Sequence, residues 1–403
     1  MSSSSFLQQL VRDAGGVVPF HRFMEWALYH PQQGYYMGSR ARIGRSGDFV
    51  TAPEMSSLFG ELLTLEWISV WQQMGSPDRF TVVEIGGGNG RLMADAWCTA
   101  RKFPRFLQAL EWIACERSPD FVSRQRQALD ASGNREVNCR WVDGIDALAD
   151  DSIVGILFSN ELFDALPVHW LEVTAGGVRE LGVALEDGNW RRVWLDLPLP
   201  AGLAPWVAAH GSRLEVGTQA EVGLAGEALM QQLGRKLRYG IVMTIDYGYP
   251  DGELYAVART AGTLVGFRTH QQVNDPLEFP AAMDLTAHVD FTALARAGES
   301  VGLHSLGFTT QGWYLLGLGI LQRMGQITAG VDQATADGTQ SVTLLRQTVM
   351  RLILPEAMGE RFKVLVQGRG MDTVALAGFS LDNRMDRLWA VAEESGEHGH
   401  TAG

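Results

Sequence analysis

The stretch Val82-Val83-Glu84-Ile85-Gly86-Gly87-Gly88-Asn89-Gly90-Arg91 runs from apolar residues into a glycine-rich turn. Glycine permits positive φ and lets the backbone approach a ligand closely, and a helix that follows offers unpaired N–H groups. Such a turn suits a nucleotide-type cofactor. A dinucleotide fingerprint needs Gly-x-Gly-x-x-Gly/Ala, and Arg91 stands in its third place, so that fingerprint fails. What remains is Glu-x-Gly-x-Gly-x-Gly, with Glu84 two positions ahead of Gly86, Gly88 and Gly90. Glu116 closes the next apolar run and is placed to accept both hydroxyls of a ribose. Asp143 follows the third run, where an adenine contact is expected. A fourth run ends in Asn160-Glu161-Leu162-Phe163-Asp164. Carboxylates beside an apolar strand are costly without a partner. Two readings stand: Asn160 caps a helix with Glu161 and Asp164 in its first turn, or the acids hold a ligand.

These residues need a scaffold, and the patterning from residue 80 supplies one. Strands are expected at Phe80–Ile85, Trp112–Cys115, Val137–Val142 and Ile153–Ser159, alternating with helices from Arg91 and around Phe121–Leu129. Alternation of this kind implies a mostly parallel sheet covered on both faces. Residues 168–200 break the pattern with hairpin turns at Ala175-Gly176-Gly177 and Glu186-Asp187-Gly188-Asn189. A helix over about Glu221–Leu237, with Val222, Ala225, Leu229 and Leu233 on one face, leads to a buried strand at Ile241–Ile245. Runs near Thr263–Phe267 and Phe362–Gln367 are expected to finish the sheet. Ahead of it, Phe20, Phe23, Met24, Ala27 and Leu28 make one helical face after Pro19, and a second helix is expected over Glu54–Met74. The expected organisation is an N-terminal helical cap over 1–75 and a core over 76–403, interrupted by an insert at about 168–235.

Composition narrows the function. A net charge of −13 argues against a general nucleic-acid binder. Arg40, Arg42 and Arg45 read as a solvated loop, and residues 396–403 as a disordered tail. Cys98, Cys115 and Cys139 form no Cys-x-x-Cys pair, so no disulfide framework and no metal site are expected, and all three read as small core residues. No apolar run approaches the ~20 residues of a membrane helix, and no signal or transit peptide is visible. Membrane insertion is not expected, and a cytoplasmic setting is.

The acidic glycine turn resembles the first motif of class I S-adenosyl-L-methionine methyltransferases, in which the turn faces the methionine part of the cofactor and the acid its cationic end. In that setting Asn160 would lie beside the transferring methyl. Glu161 and Asp164 would hold an acceptor. An arginine guanidinium is planar and cationic, and carboxylates can grip it bidentately.

Further blocks carry a closer resemblance. They are Phe23 to Tyr36, Gly47-Asp-Phe-Val-Thr-Ala-Pro-Glu54, Asn160 to Pro167, Asp246-Tyr-Gly-Tyr249, Asp284-Leu-Thr-Ala-His-Val-Asp-Phe-Thr292 and Leu354 to Leu365. In order and over nearly the whole chain, they resemble the MidA-like family of class I methyltransferases. The resemblance implies a Rossmann-like α/β methyltransferase core with an N-terminal helical cap and an inserted β-rich segment. It implies S-adenosyl-L-methionine as cofactor and protein arginine as acceptor, with a link to respiratory complex I assembly. The family usually carries Pro where Gly87 stands, and often Gly before the Asp284 block, where this chain has Ala281-Ala-Met283. Thr51 and Glu54 either form a capping box or belong to a loop that closes over the cofactor. Asp290 reads as an N-cap and His288 as a buried, satisfied histidine. Two other functions compete: a non-catalytic assembly chaperone on the same fold, and an NAD-dependent oxidoreductase.

Overall fold

Val82 packs into one apolar cluster while Val83 and Ile85, on the same strand, pack into another. Alternate side chains of a strand point to opposite faces, so a strand apolar at every position must be covered on both. The computed structural model, which describes residues 5–38, 44, 51–133, 137–332 and 335–390, shows this for the inner strands of the central sheet. Its main strands are β1 (Phe80–Ile85), β2 (Leu110–Cys115), β3 (Cys139–Val142), β4 (Ile153–Asn160), β5 (Leu237–Tyr249), β6 (His304–Thr310) and β7 (Phe362–Arg369), and the two-residue strand Val289–Asp290 pairs with the end of β5. The order is β6-β7-β5-β4-β1-β2-β3. β3, β2, β1, β4 and β5 are mutually parallel, and β7 runs antiparallel between β5 and β6. The chain moves outward from β1 to β3 and then returns to β4 on the other side of β1. That reversal opens a crevice at the carboxyl ends of β1 and β4, where sheets of this kind take their ligands.

The helix Ser57–Gln73 lies on one face with Arg91–Ala100, and Leu224–Lys236 on the other with Phe291–Glu299. The first buries Phe59, Leu63, Trp67, Val70 and Trp71, with Met74 half-buried at its end. Its start departs from the expected one. The expected single helix from Glu54 is broken at Ser56, which is extended and accepts from the Leu58 N–H, leaving Ala52–Met55 as a separate turn. The helix expected from Glu221 starts at Leu224, because Val222 is needed in a strand, Gln219–Val222.

The insert does form antiparallel ribbons. His169–Thr174, Gly177–Glu186 and Asn189–Trp194 pair in succession, and Gln219–Val222 completes that edge. Its other edge is taken by Val17–Pro19, paired with Gly177–Glu186. The N-terminal helix Phe20–Tyr29 follows at once, burying the five apolar residues of its face. The strand Val265–Arg268 does not finish the central sheet as expected. It pairs with Gln271–Val273 and Asp284–Thr286 in a small sheet of its own, while the sequence-silent His304–Thr310 takes the outer position. Cys115 is buried, Cys139 half-buried and Cys98 exposed, which corrects the reading of Cys98 as a core residue. Arg40, Arg42, Arg45, Asp48 and the tail 396–403 lie outside the described residues. Among the described residues no helix is long and apolar enough to cross a membrane.

Candidate active site

At the carboxyl end of β1 the chain must turn sharply into the helix Arg91–Ala100, and three of its glycines adopt positive φ, at Gly86 (70°), Gly88 (51°) and Gly90 (79°). Space is as limiting as backbone angle. A Cβ at Gly87 would lie 2.8 Å from the Glu84 carboxyl, and one at Gly90 2.7 Å from the Cα of Gln125. Gln125, on the helix Pro119–Ala131, fastens the turn to its surroundings. Its amide donates to the Gly88 carbonyl at 3.1 Å and to Glu116 at 3.3 Å, and its oxygen accepts from the Trp141 indole at 2.8 Å. Gln125 was foreseen only as a residue of a helical face; its polar side chain within an apolar stripe was the available signal.

The turn borders a cavity of about 520 Å³, a size typical of small-molecule sites. Glu84, Gly86, Gly88, Glu116, Asp143, Asn160, Glu161, Thr51 and Glu54 all line it. Two sequence-selected residues do not: Gly90 sits one step behind the turn, and Asp164 is buried beneath Glu161. Glu84 is almost fully buried and one of its carboxyl oxygens has no hydrogen-bond partner. Burial, with the nearby Glu116 adding to it, pushes this acid up to about 8. Glu116 is half satisfied, by the Ser118 N–H at 2.9 Å and by Gln125, and burial pushes it to about 7. Asp143 is exposed at the cavity edge. Thr51 makes no side-chain cap, so the capping box fails. Glu54 instead accepts from the Asn89 amide at 3.0 Å, joining the segment 52–55 to the glycine turn.

At the end of β4 no α-helix begins. Asn160 is the last residue of the strand, Glu161 takes φ 52°, and a short turn follows at Phe163–Ala165, so the capping explanation of these acids fails. Left-handed backbone at a glutamate carries strain and persists only where its surroundings hold it. The holder is Asp246, at the end of β5. Its carboxylate accepts from the N–H groups of Leu162 (3.0 Å) and Phe163 (2.8 Å), while the Glu161 N–H donates to the Ile245 carbonyl at 2.9 Å. Asp246 belonged to a family-like block without an assigned task; a lone acid ending the apolar run Ile241–Ile245 was its signal.

Glu161 reaches the cavity while lying deep in protein. It accepts from the Asn160 amide at 3.0 Å and the Ala52 N–H at 3.4 Å, and burial and then Asp164 push it up to about 8. Asp164 lies against Tyr247 and Asp246 and is raised to about 6, chiefly by burial. Asp246 is raised further by burial and by Asp164. Burial and their mutual proximity raise these acids, and among the described residues no lysine or arginine forms an ion pair with any of them. Tyr29 and Tyr36, whose rings stack 5.7 Å apart, wall the same cavity from the N-terminal segment, and the Tyr36 hydroxyl donates to Asp284 at 2.7 Å. The end of β4 therefore presents an acidic, partly aromatic recess beside the glycine turn, its Glu161 and Asp246 carboxyls held largely protonated by burial and neighbouring acids. Asp290 does cap the helix Phe291–Glu299 through the Ala293 N–H. His288 is not satisfied: its Nδ1 has no partner, and burial with nearby arginines lowers it to about 4, so the ring is neutral near pH 7.

A family model described as "Putative S-adenosyl-L-methionine-dependent methyltransferase" matches residues 62–309. The chain is 31% identical over 396 residues to the mitochondrial protein arginine methyltransferase NDUFAF7 homolog of Drosophila melanogaster, covering 91% of this chain and 86% of that protein. It is 30% identical to the mitochondrial NDUFAF7 of Danio rerio, over 90% of this chain and 87% of that one. The crystal structure of a COG1565 superfamily member from Burkholderia thailandensis bound to S-adenosyl-homocysteine superposes with a TM-score of 0.85, at 31% identity over 95% of this chain and 96% of that one. These curated relatives are mitochondrial proteins, which overturns the cytoplasmic setting expected from the sequence.

Proposed function

This chain belongs to the MidA-like family of S-adenosyl-L-methionine-dependent methyltransferases, and from that premise we propose that it methylates arginine side chains of a protein. S-adenosyl-L-methionine is its cofactor and, when bound, supplies an electrophilic methyl group on a sulfonium. The residues present fit that molecule. Glu84 keeps a buried carboxyl oxygen unpartnered beneath the turn, and the turn takes positive φ at Gly86, Gly88 and Gly90, which brings its backbone to the cavity. Glu84, Gly86 and Gly88 would hold the methionine portion, Glu116 the ribose hydroxyls and Asp143 the adenine side. Gly90 keeps the turn closed against Gln125, and Thr51 and Glu54 wall the cavity from the outside.

One observation carries the acceptor class. Glu161 faces the cavity with Asp164 and Asp246 behind it; their donors are neutral groups, the Asn160 amide and the Ala52, Leu162 and Phe163 N–H groups, and among the described residues no lysine or arginine forms an ion pair with any of the three. Buried carboxyls of this kind are costly until a cation pairs with them. A guanidinium supplies that charge and matches a carboxylate in a planar, two-point grip. Glu161 would orient it and draw positive charge away from the attacking nitrogen, with Asn160 fixing the Glu161 carboxyl. Holding the nitrogen in line supplies most of the rate. Transfer to a guanidinium releases one proton, and the Glu161 carboxylate is the nearest acceptor assigned to it. The names of the relatives support a protein acceptor, and the family resemblance extends this to a subunit of respiratory complex I.

Incubation with labelled cofactor and an arginine-bearing acceptor, read by mass spectrometry, tests the proposal through methylarginine. Glu161→Gln should keep cofactor affinity within about twofold and lower turnover by about 100-fold or more, the scale of one lost electrostatic contact in a closed site. Normal turnover by that variant would remove Glu161 from the acceptor site.

A further inference from the structure

A second cavity, of about 210 Å³, opens at the same carboxyl edge of the sheet, but beyond β5 rather than at the β1–β4 crevice. It is lined by Arg361, Lys363, Arg384 and Arg387, against two carboxylates, Glu253 and Glu360. Arg384 is paired with Glu360 and with Asp382 just behind it, which leaves Lys363, Arg361 and Arg387 facing Glu253 alone, on a chain whose net charge is −13. Two of the family-like blocks contribute to its wall: 246–249, whose Asp246 and Tyr247 serve the methyl site, supplies Tyr249, and 354–365, which the methyl site leaves without a task, supplies Pro355, Glu360, Arg361 and Lys363.

Lys363 is the centre of the argument. It is only 4% exposed. Its ammonium donates to the main-chain carbonyls of Glu360 and Arg361 and lies 4.8 Å from the centre of the Tyr249 ring. Among the described residues no carboxylate forms an ion pair with it. Glu360 is already bound to Arg384 at 2.6 Å, and Asp382 holds the same guanidinium at 2.7 Å. Arg384 is thus pinned in place, while Arg361 and Arg387 are exposed at the mouth. A buried ammonium without a counter-ion is costly. Burial and the neighbouring Arg384 pull Lys363 down to about 8, with Glu360 and Glu253 opposing.

We propose that this cavity binds a phosphate-type dianion, with Lys363 at its floor and Arg361 and Arg387 closing over it. Two charges match the three cations left facing a single acid, and tetrahedral oxygens can meet the ammonium and both guanidiniums together, whereas a carboxylate offers one charge and one plane. The ligand is either inorganic phosphate or the phosphoryl group of a small monoester.

Calorimetric titration of the full chain with inorganic phosphate, glycerol phosphate and acetate, at fixed ionic strength, tests this. Saturable phosphate binding, weakened about tenfold or more in Arg361→Ala and in Arg387→Ala, is the expected result. Both substitutions lie at the surface and should leave folding and S-adenosyl-L-methionine affinity unchanged, which separates this site from the methyl site. Lys363→Met should abolish binding, and the surface variants carry the test if that protein does not fold. Tighter binding of glycerol phosphate than of phosphate assigns the site to a monoester; the reverse assigns it to the free ion. No binding of either, equal binding of acetate, or identical affinities in wild type and the arginine variants overturns the proposal.

Discussion

Glu161 combines two properties that rarely coincide, a positive φ and a carboxyl side chain lining a cavity. Its acidity then sets the pH response of the proposed reaction. Burial, and Asp164 after it, raises the carboxyl to about 8. A cationic acceptor binds the ionised form, so protonation at lower pH competes with binding. The acceptor KM should fall about tenfold per unit as pH rises toward 8 and then level off. Steady-state kinetics from pH 6 to 9 measure this, and a flat KM across the range would contradict contact between Glu161 and the acceptor. Asp246 acts one step away. Asp246→Asn weakens its grip on the Leu162 and Phe163 N–H groups and should lower turnover while leaving cofactor affinity within about twofold. Equal losses in both quantities would indicate general disruption instead.

Among elements, the helix Pro119–Ala131 does more than cover the sheet. Through Gln125 it is tied to the glycine turn, to Glu116 and to Trp141 at once. Gln125→Leu keeps the volume and loses the three hydrogen bonds, each worth about 0.5–1.5 kcal/mol net. Cofactor affinity should drop about tenfold in a titration, although Gln125 is not among the residues that line the cavity. Unchanged affinity would show that the turn holds its shape alone. Gly90→Ala attacks the same junction from the other side. Its φ of 79° and the 2.7 Å approach to Gln125 leave no room for a Cβ, so it should cost at least about 1–2 kcal/mol in a denaturant melt.

Across the whole molecule, one consequence of the site is a store of buried acid. Glu84, Glu116 and Glu161 stand at about 8, 7 and 8 in the folded chain, above their ordinary 4.5. A group raised on folding contributes stability that is fully present below its unfolded value and lost as pH rises through its folded value. The cofactor-free protein should therefore melt at lower temperature at pH 9 than at pH 6, and Glu84→Gln should narrow the gap while weakening the cofactor. If the wild-type Tm does not fall over that interval, these acids are not held neutral. The N-terminal segment is joined to the same whole: its strand extends the insert's sheet, and Tyr29 and Tyr36 close the cavity.

The local periods of the sequence and its glycine spacing determined most of the scaffold. Strands apolar at every position, separated by helical stripes, specify a sheet covered on both faces, and a turn of Glu84, Gly86, Gly88 and Gly90 can form only where positive φ is cheap. Nine of the eleven selected residues meet at one cavity for that reason: each ends or follows a strand, or opens the segment that packs against the turn. Tertiary structure decided the rest. Asp164 points away from the cavity because Asp246 and Tyr247, about eighty residues later, pack against it. Ser56 breaks a helix that continuous patterning favoured, and Val265–Arg268 leaves the central sheet because nearby antiparallel partners take it first. Gln125 and Lys363 acquire their surroundings only when distant segments meet. Pairing across long sequence separation depends on which surfaces the packed chain brings together, and no local period encodes that.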